Sequence, residues 1–198
     1  MATLYLIRHA VTADTGTRLT GRLPGVGLDE TGRRQAAATA DVLADVPFRS
    51  IYSSPLRRCR ETAKAIAAHH DVDAIPYRSL IEVDYGTWSG RTLRSLQRTK
   101  AWRGLFIAPS RVTFPGGESL AAVQARAVAA CEELAATHRN AGIALVSHGD
   151  VIKAIVAHYV GTPLDLFQRI VIDPASISII ELPQDSAPRV LAVNRKAM

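Results

Sequence analysis

Short apolar runs alternate along the chain with longer stretches in which apolar residues recur at three- and four-residue steps. The first run, Leu4 to Ile7, has the unbroken apolar character of a strand buried on both faces. Ile143 to Val146 has the same character, and Ser50 to Ser53, 73–77, 169–172, 176–182 and 190–194 read as further strands. Helical stretches fall between them, at 31–45, from Ser54-Pro55 to near Ala68, from Glu118 to Arg139, and from Asp150 to Val160. The third is the clearest, because Leu120, Val123, Ala127, Cys131 and Leu134 mark one buried face. Ser54 followed by Pro55 predicts the start of the second, with serine as cap and proline as first helical residue. Asp173-Pro174 reads as a turn between two strands, whereas Leu80 to Gly117 follows no regular period. Alternation of this kind predicts an α/β fold, a three-layer α/β/α sandwich whose mostly parallel sheet carries helices on both faces. With 198 residues and no repeat, the chain reads as a single domain, 1–198, with a small lid region around 83–117.

Reactive groups in such sheets gather beyond the carboxyl ends of the strands. Arg8-His9 ends the first apolar run, and Ser147-His148-Gly149 ends the run at 143–146. In one parallel sheet both histidines emerge at the same edge, on strands that are only about 5 Å apart when adjacent. One histidine after a strand is usually a satisfied loop residue. Two at equivalent ends, one preceded by arginine, point to a phosphate pocket with a nucleophile in it. Gly149, opening a helix, adds free backbone N–H groups that favour an anion. Arg57, Arg58 and Arg60 crowd the start of the second helix, where cations oppose the helix dipole unless an anion neutralises them. A solvated helix face is the alternative there. Glu82 lies among Leu80, Ile81, Val83, Tyr85 and Trp88, surroundings that raise a carboxyl pKa and suit a proton donor.

Composition narrows the partners. Twenty-four basic residues against eighteen acidic ones give a net charge of +6, which favours an anionic partner. No run of five Lys or Arg occurs and the aromatic residues are scattered, which speaks against nucleic acid. Arginines at loop ends fit a small phosphorylated metabolite instead. No apolar run approaches the roughly 18 residues of a membrane span, and residues 1–9 lack the length, basic start and cleavage site of a signal peptide. Cys59 and Cys131 form no metal-spacing motif, so reduced thiols in the cytoplasm are expected.

The chain carries, in order, Arg8-His9, then Ser53-Ser54-x-Leu56-x-Arg58-x-x-x-Thr62-Ala63, then Glu82 before Tyr85-Gly86-x-Trp88-x-Gly90, then Pro115-Gly116-Gly117-Glu118-Ser119, and Ser147-His148-Gly149. This conjunction, spanning about residues 3–160, resembles the histidine phosphatase superfamily, with its phosphoglycerate-mutase-like fold. The resemblance implies that His9 is the nucleophile, that Arg8, Arg58 and His148 surround the phosphoryl oxygens, and that Glu82 is the general acid. It implies no metal and no cofactor, because guanidinium groups supply the charge. Thr20-Gly21-Arg22 resembles the segment that family members place over the substrate, and Thr12, Ser119 and Gly149 join it as candidate substrate contacts. Trp88 and Trp102 read as core or lid packing. Ala10 stands where the family usually has glycine, which predicts a slightly altered first loop, and Pro55 stands where aspartate is frequent. Dimers are common in the family, so a homodimer is an expectation carried by the resemblance alone.

Rival motifs fare less well. Asp71-Val72-Asp73 follows a helix rather than a strand, against an aspartate-based phosphatase. A cysteine phosphatase requires arginine six residues after the cysteine, where this chain has Ala65 and Thr137. His9 with Asp14 has an acyltransferase spacing but leaves Arg58, Glu82 and His148 unexplained, and Gly25-x-Gly27 lacks the third glycine of a dinucleotide loop. Within the family, a cofactor-dependent phosphomutase is the competing activity, and a non-catalytic phosphoester-binding protein a more distant one. The short Glu82-Val83-Asp84-Tyr85-Gly86 segment and compact lid between Arg91 and Phe114 resemble the phosphatase branch.

Overall fold

The computed structural model describes residues 1–197. Its strands are β1 (Ala2–Arg8), β2 (Phe48–Ser53), β3 (Ala74–Pro76), β4 (Gly142–Ser147), β5 (Ile177–Leu182) and β6 (Arg189–Arg195). Its helices are α1 (Glu30–Leu43), α2 (Arg57–Ala67), α3 (Leu93–Leu96), α4 (Lys100–Ile107), α5 (Leu120–Thr137) and α6 (Gly149–Tyr159). All six strands form one sheet in the order β3-β2-β4-β1-β5-β6.

The two-residue alternation of a strand divides the core. Leu4, Leu6, Ile143 and Leu145 pack with Val123, Ala127 and Cys131 of α5 and Val151, Ile152 and Ile155 of α6. Ile7, Ala144 and Val146 point the other way, onto Ala40 and Leu43 of α1 and Cys59, Ala63 and Ile66 of α2. Fully burying each large aliphatic side chain contributes about 1.5–3 kcal/mol, so these two layers fix which helices flank the sheet. β1 pairs with β4 in parallel, Ile7 opposite Val146 and Arg8 opposite Ser147. Ser53 of β2 also lies opposite Val146, so β1, β4 and β2 end level at one edge.

The sheet is mostly parallel, as expected, and two other expectations need correction. Three of the five strand pairings are parallel; β5 runs antiparallel to β1 and β6 antiparallel to β5, so β5 alone is reversed and the other five strands share one direction. The cause is where β5 starts. The turn at Asp173–Pro174 brings Ile177 opposite Ile7, at the carboxyl end of β1, and the chain can continue in the sheet only by running back. The expected strand at 169–172 is absent: Leu164–Arg169 is a 3-10 helix, and the edge beside β1 is already taken by β5. Its apolar signal came from Ile172, which is buried against the α5 and α6 layer. Finally, α2 begins at Arg57 with Leu56 as its cap, later than Ser54-Pro55 predicted.

The segment between Leu80 and Gly117 folds into α3, α4 and short 3-10 turns around an aromatic group. Trp88 stacks on Trp102 with centroids 6.1 Å apart and meets Phe114 edge-on at 5.4 Å, so both tryptophans serve packing. Ala10 adopts no left-handed backbone, and its methyl group fills a small cluster with Leu28, Ala36 and Ala175.

Candidate active site

His9 and His148 leave the sheet side by side because the backbone ladder continues one step past Arg8. The His9 N–H donates to the Ser147 carbonyl at 2.9 Å, and the two imidazole centroids are 5.2 Å apart. His9 Nδ1 donates to the Ala10 carbonyl at 2.8 Å. A carbonyl only accepts, so Nδ1 carries the proton and Nε2 keeps its lone pair. Arg58 Nε donates to that Nε2 at 3.2 Å. Burial first, then the Arg58 and Arg8 charges, hold the His9 pKa well below its ordinary value, and the ring is neutral.

Of the three arginines near the start of α2, Arg58 is the one that turns inward, and it is only 2% exposed. Its Nη2 donates to the Gly21 carbonyl at 2.8 Å and lies 3.2 Å from His148 Nδ1. Arg57 pairs with Glu61 at the surface. Arg8 donates through Nη1 to the Ile172 carbonyl at 2.6 Å. Two guanidinium donors remain, Arg8 Nε and Arg58 Nη1, buried and without a hydrogen-bond partner among the described residues. Leaving a buried donor unsatisfied costs about 1–3 kcal/mol, more when it is charged, and a tetrahedral oxyanion supplies the missing acceptors. A Cβ at Gly149 would come within 3.2 Å of Arg8 Nε, so glycine lets that guanidinium lie against the start of α6.

His148 is fully buried and does not line the cavity described below. Burial and the neighbouring Arg58 keep it neutral. With Nδ1 accepting from Arg58, Nε2 donates to Ser54 Oγ at 2.8 Å. This bond explains the late start of α2: the Ser54 hydroxyl orients His148, and Leu56 N is left at 3.4 Å from it. Ser54 is thus a site residue, which the sequence presents as a motif member and a helix cap without showing its contact with His148.

Glu82 lies 3.5 Å from His148 Nδ1 through Oε2 and accepts from the Val83 N–H at 2.9 Å through Oε1. Burial, reinforced by the negative Asp150, pushes its pKa up to about 7 against the pull of Arg58, the Val83 N–H and Arg8. The segment carrying Glu82 is clamped from outside. Glu118 accepts from the Asp84 N–H, from Arg22 and from Arg126, each at 2.8 Å.

These groups face a cavity of about 270 Å³. Thr12, Thr20, Gly21 and Gly149 line it with Arg8, His9, Arg58 and Glu82. Arg22 and Ser119 do not. Arg22 is committed to the Glu82 carbonyl, Asp84 and Glu118, and the Ser119 hydroxyl caps α5 by accepting from Ala122 N. Their sequence positions place them near the motif, but the clamp and the cap use their polar atoms. Three charged wall residues were not singled out from sequence: Arg18, Asp150 and Lys153. The signal for the last two was their place on α6, Asp150 directly after Gly149 and Lys153 about one turn further on. A larger groove of about 720 Å³ between α2 and β3 contains neither histidine nor Glu82. Among the described residues, no three His, Cys, Asp or Glu side chains gather as a metal site would need, and no helix is long and apolar enough to cross a membrane.

Residues 4–196 match the family model of the histidine phosphatase superfamily (branch 1). The chain is 33% identical over 189 residues to phosphoserine phosphatase 1 of Hydrogenobacter thermophilus, covering 93% of this chain and 88% of that protein. It is 30% identical over 194 residues to a bifunctional protein of Mycobacterium tuberculosis, covering 97% of this chain but only 53% of the relative. Among solved structures, Bacillus stearothermophilus YhfR superposes with a TM-score of 0.91 at 28% identity, covering 98% of each chain.

Proposed function

Because the chain belongs to branch 1 of the histidine phosphatase superfamily, we propose that it hydrolyses small phosphorylated metabolites through a phosphohistidine intermediate. The observation that carries this reading is the unprotonated His9 Nε2, contacted by Arg58 Nε at 3.2 Å and close to two buried guanidinium donors without partners among the described residues. His9 Nε2 attacks phosphorus in line with the leaving oxygen. Arg8 and Arg58 hold the equatorial oxygens and stabilise the charge that spreads over them in the transition state. His148, fixed by Ser54, keeps Arg58 in place beside the reacting phosphoryl group. Glu82, protonated with a pKa near 7, gives its proton to the leaving alkoxide. As carboxylate it then takes a proton from the water that attacks the phosphohistidine, which releases phosphate and restores both groups. Thr12, Thr20, Gly21 and the Gly149 N–H contact the bound ester. The phosphoserine phosphatase relative supports a small substrate, and two buried unpaired cysteines support a reducing compartment such as the cytoplasm.

The test is turnover of p-nitrophenyl phosphate with rapid quenching of a radiolabelled phosphoester. An acid-labile, base-stable phosphoprotein should form in the wild type and be absent in His9→Ala, whose kcat should fall by about 10³-fold or more. EDTA should leave the rate unchanged. Activity retained by His9→Ala, loss of activity with EDTA, or transfer of the phosphoryl group to a second sugar-acid hydroxyl instead of water would each overturn the reading.

A further inference from the structure

Acidic residues stop at Asp84 and resume only at Glu118. Between them stand six basic ones: Arg91, Arg94, Arg98, Lys100, Arg103 and Arg111. Removing those six from the twenty-four basic residues leaves eighteen against eighteen acidic ones, so the whole net charge of +6 resides in this segment. All six are exposed, and none forms a salt bridge among the described residues. Arg111 lies in the field of Asp165, which is bonded to the Ser110 N–H at 2.8 Å. The other five have no carboxylate partner.

Two of the five stand on α4 beside exposed apolar side chains. Lys100, Arg103, Phe106 and Ile107 follow one another at steps of three and four residues and so share one face of the helix. Leu105, buried, and Trp102, stacked on Trp88, hold the other face against the protein. Phe106 is 57% exposed, and Ile107, at 76%, is the most exposed large apolar residue among those described. One such residue alone would be ordinary. Two neighbours flanked by unpaired cations have the composition of a helix that lies at a lipid–water boundary. There the cations are drawn to anionic headgroups and the apolar side chains enter between the acyl chains. Nucleic acid fits less well. Trp88, Trp102 and Phe114 are packed on one another, which leaves Phe106 as the ring free to stack on a base, and Ile107 has no use there.

We propose that the outer face of α4, with the cations that precede it, docks on an anionic phospholipid surface. The docked segment is also part of the active-site rim. Leu93 lines the cavity, its N–H donates to the Thr17 carbonyl, and the Leu19 N–H donates to the Arg91 carbonyl, each at 2.9 Å. Docking stands on surface charge and exposure and does not depend on the phosphatase reading.

The test is co-sedimentation of the full chain with vesicles of phosphatidylcholine alone and of equal parts phosphatidylcholine and phosphatidylglycerol. Partitioning onto the anionic vesicles should be about a hundredfold higher, the effect of about three cations at about fivefold each, and should fall as salt rises. Lys100→Gln with Arg103→Gln should lower it by about twentyfold. Phe106→Ser with Ile107→Ser, which leaves the charge intact, should lower it by about tenfold or more. Circular dichroism and turnover of p-nitrophenyl phosphate without vesicles should be unchanged in both double variants, because all four side chains are exposed and outside the cavity. Equal partitioning onto the two kinds of vesicle, binding to neither, or undiminished partitioning in either variant would overturn the docking. So would tighter binding to a single-stranded RNA oligonucleotide that survives Phe106→Ser with Ile107→Ser, which would assign the charge to nucleic acid. A dimer that this apolar variant dissociates in sedimentation velocity, without vesicle binding by the wild type, would give the face to a second copy of the chain instead. A wild type that turns over no phosphoester but partitions as expected would fail the phosphatase reading and leave the docking standing.

Discussion

Glu82 keeps its proton near neutrality because burial and Asp150 together outweigh the attraction of Arg58, the Val83 N–H and Arg8. That balance has a catalytic and a thermodynamic consequence, with opposite uses of the same charge. The alkaline limb of kcat should fall near pH 7, as the general acid ionises. Glu82→Gln should slow the hydrolysis of alkyl phosphates. With p-nitrophenyl phosphate, whose leaving group needs little protonation, it should release a burst of p-nitrophenol followed by slow turnover. For stability the sign reverses. A carboxyl raised from 4.5 to about 7 favours the folded state below pH 4.5, and that contribution is lost as pH rises through 7. Urea unfolding should therefore show Glu82→Gln gaining on the wild type between these pH values, by about 3 kcal/mol at the upper plateau if a pKa unit is about 1.4 kcal/mol. A gain that does not change with pH would mean that Glu82 is not the group that titrates.

At the scale of elements, the site depends on two loops locked together. Gly86 has φ +52°, and a Cβ there would lie 2.1 Å from the Pro115 carbonyl oxygen. Gly86→Ala must therefore push the loop at 115–118 away from the Glu82 segment, at a cost of about 2–4 kcal/mol. Denaturant unfolding should show that loss, with a matching fall in kcat; an unchanged midpoint would show the two loops to be independent. The sequence signalled these loops through their glycines and aromatic residues, but not their mutual grip. Strands β1 and β4 and helix α5 were legible because burial alone decides them, and burial is written in the apolar period. The start of α2 was not, because the Ser54 hydroxyl answers to His148, ninety-four residues away. The direction of β5 was hidden for a related reason, since strand patterns are the same whichever way the chain runs. Periodicity also could not say which arginine near the α2 start turns inward. Arg58 does, and its partners are His9, Gly21 and His148, all distant in the chain.

The whole molecule carries a cost at its centre that only an anion relieves. Among the described residues no carboxylate forms a salt bridge with the buried Arg58, and Glu82 nearby is half-neutral near pH 7. Buried cations in such a state destabilise the fold unless they are compensated. Inorganic phosphate, binding the folded state only, should stabilise it by about 2.7 kcal/mol at a hundred times its Kd. For a domain of this size that raises Tm by about 5–10 °C, at 2–4 °C per kcal/mol. Arg58→Met fills similar space without the charge. Its Tm without phosphate should equal or exceed that of the wild type, while most of the phosphate-induced rise disappears and turnover of p-nitrophenyl phosphate is lost. Chloride at matched ionic strength separates this from general screening of the +6 net charge. If chloride reproduces the rise, or Arg58→Met keeps it, the anion is binding elsewhere. A lower Tm for Arg58→Met without phosphate would show instead that the contacts of Arg58 with Gly21 and the two histidines stabilise the empty protein, and that the arginine is structural before it is catalytic.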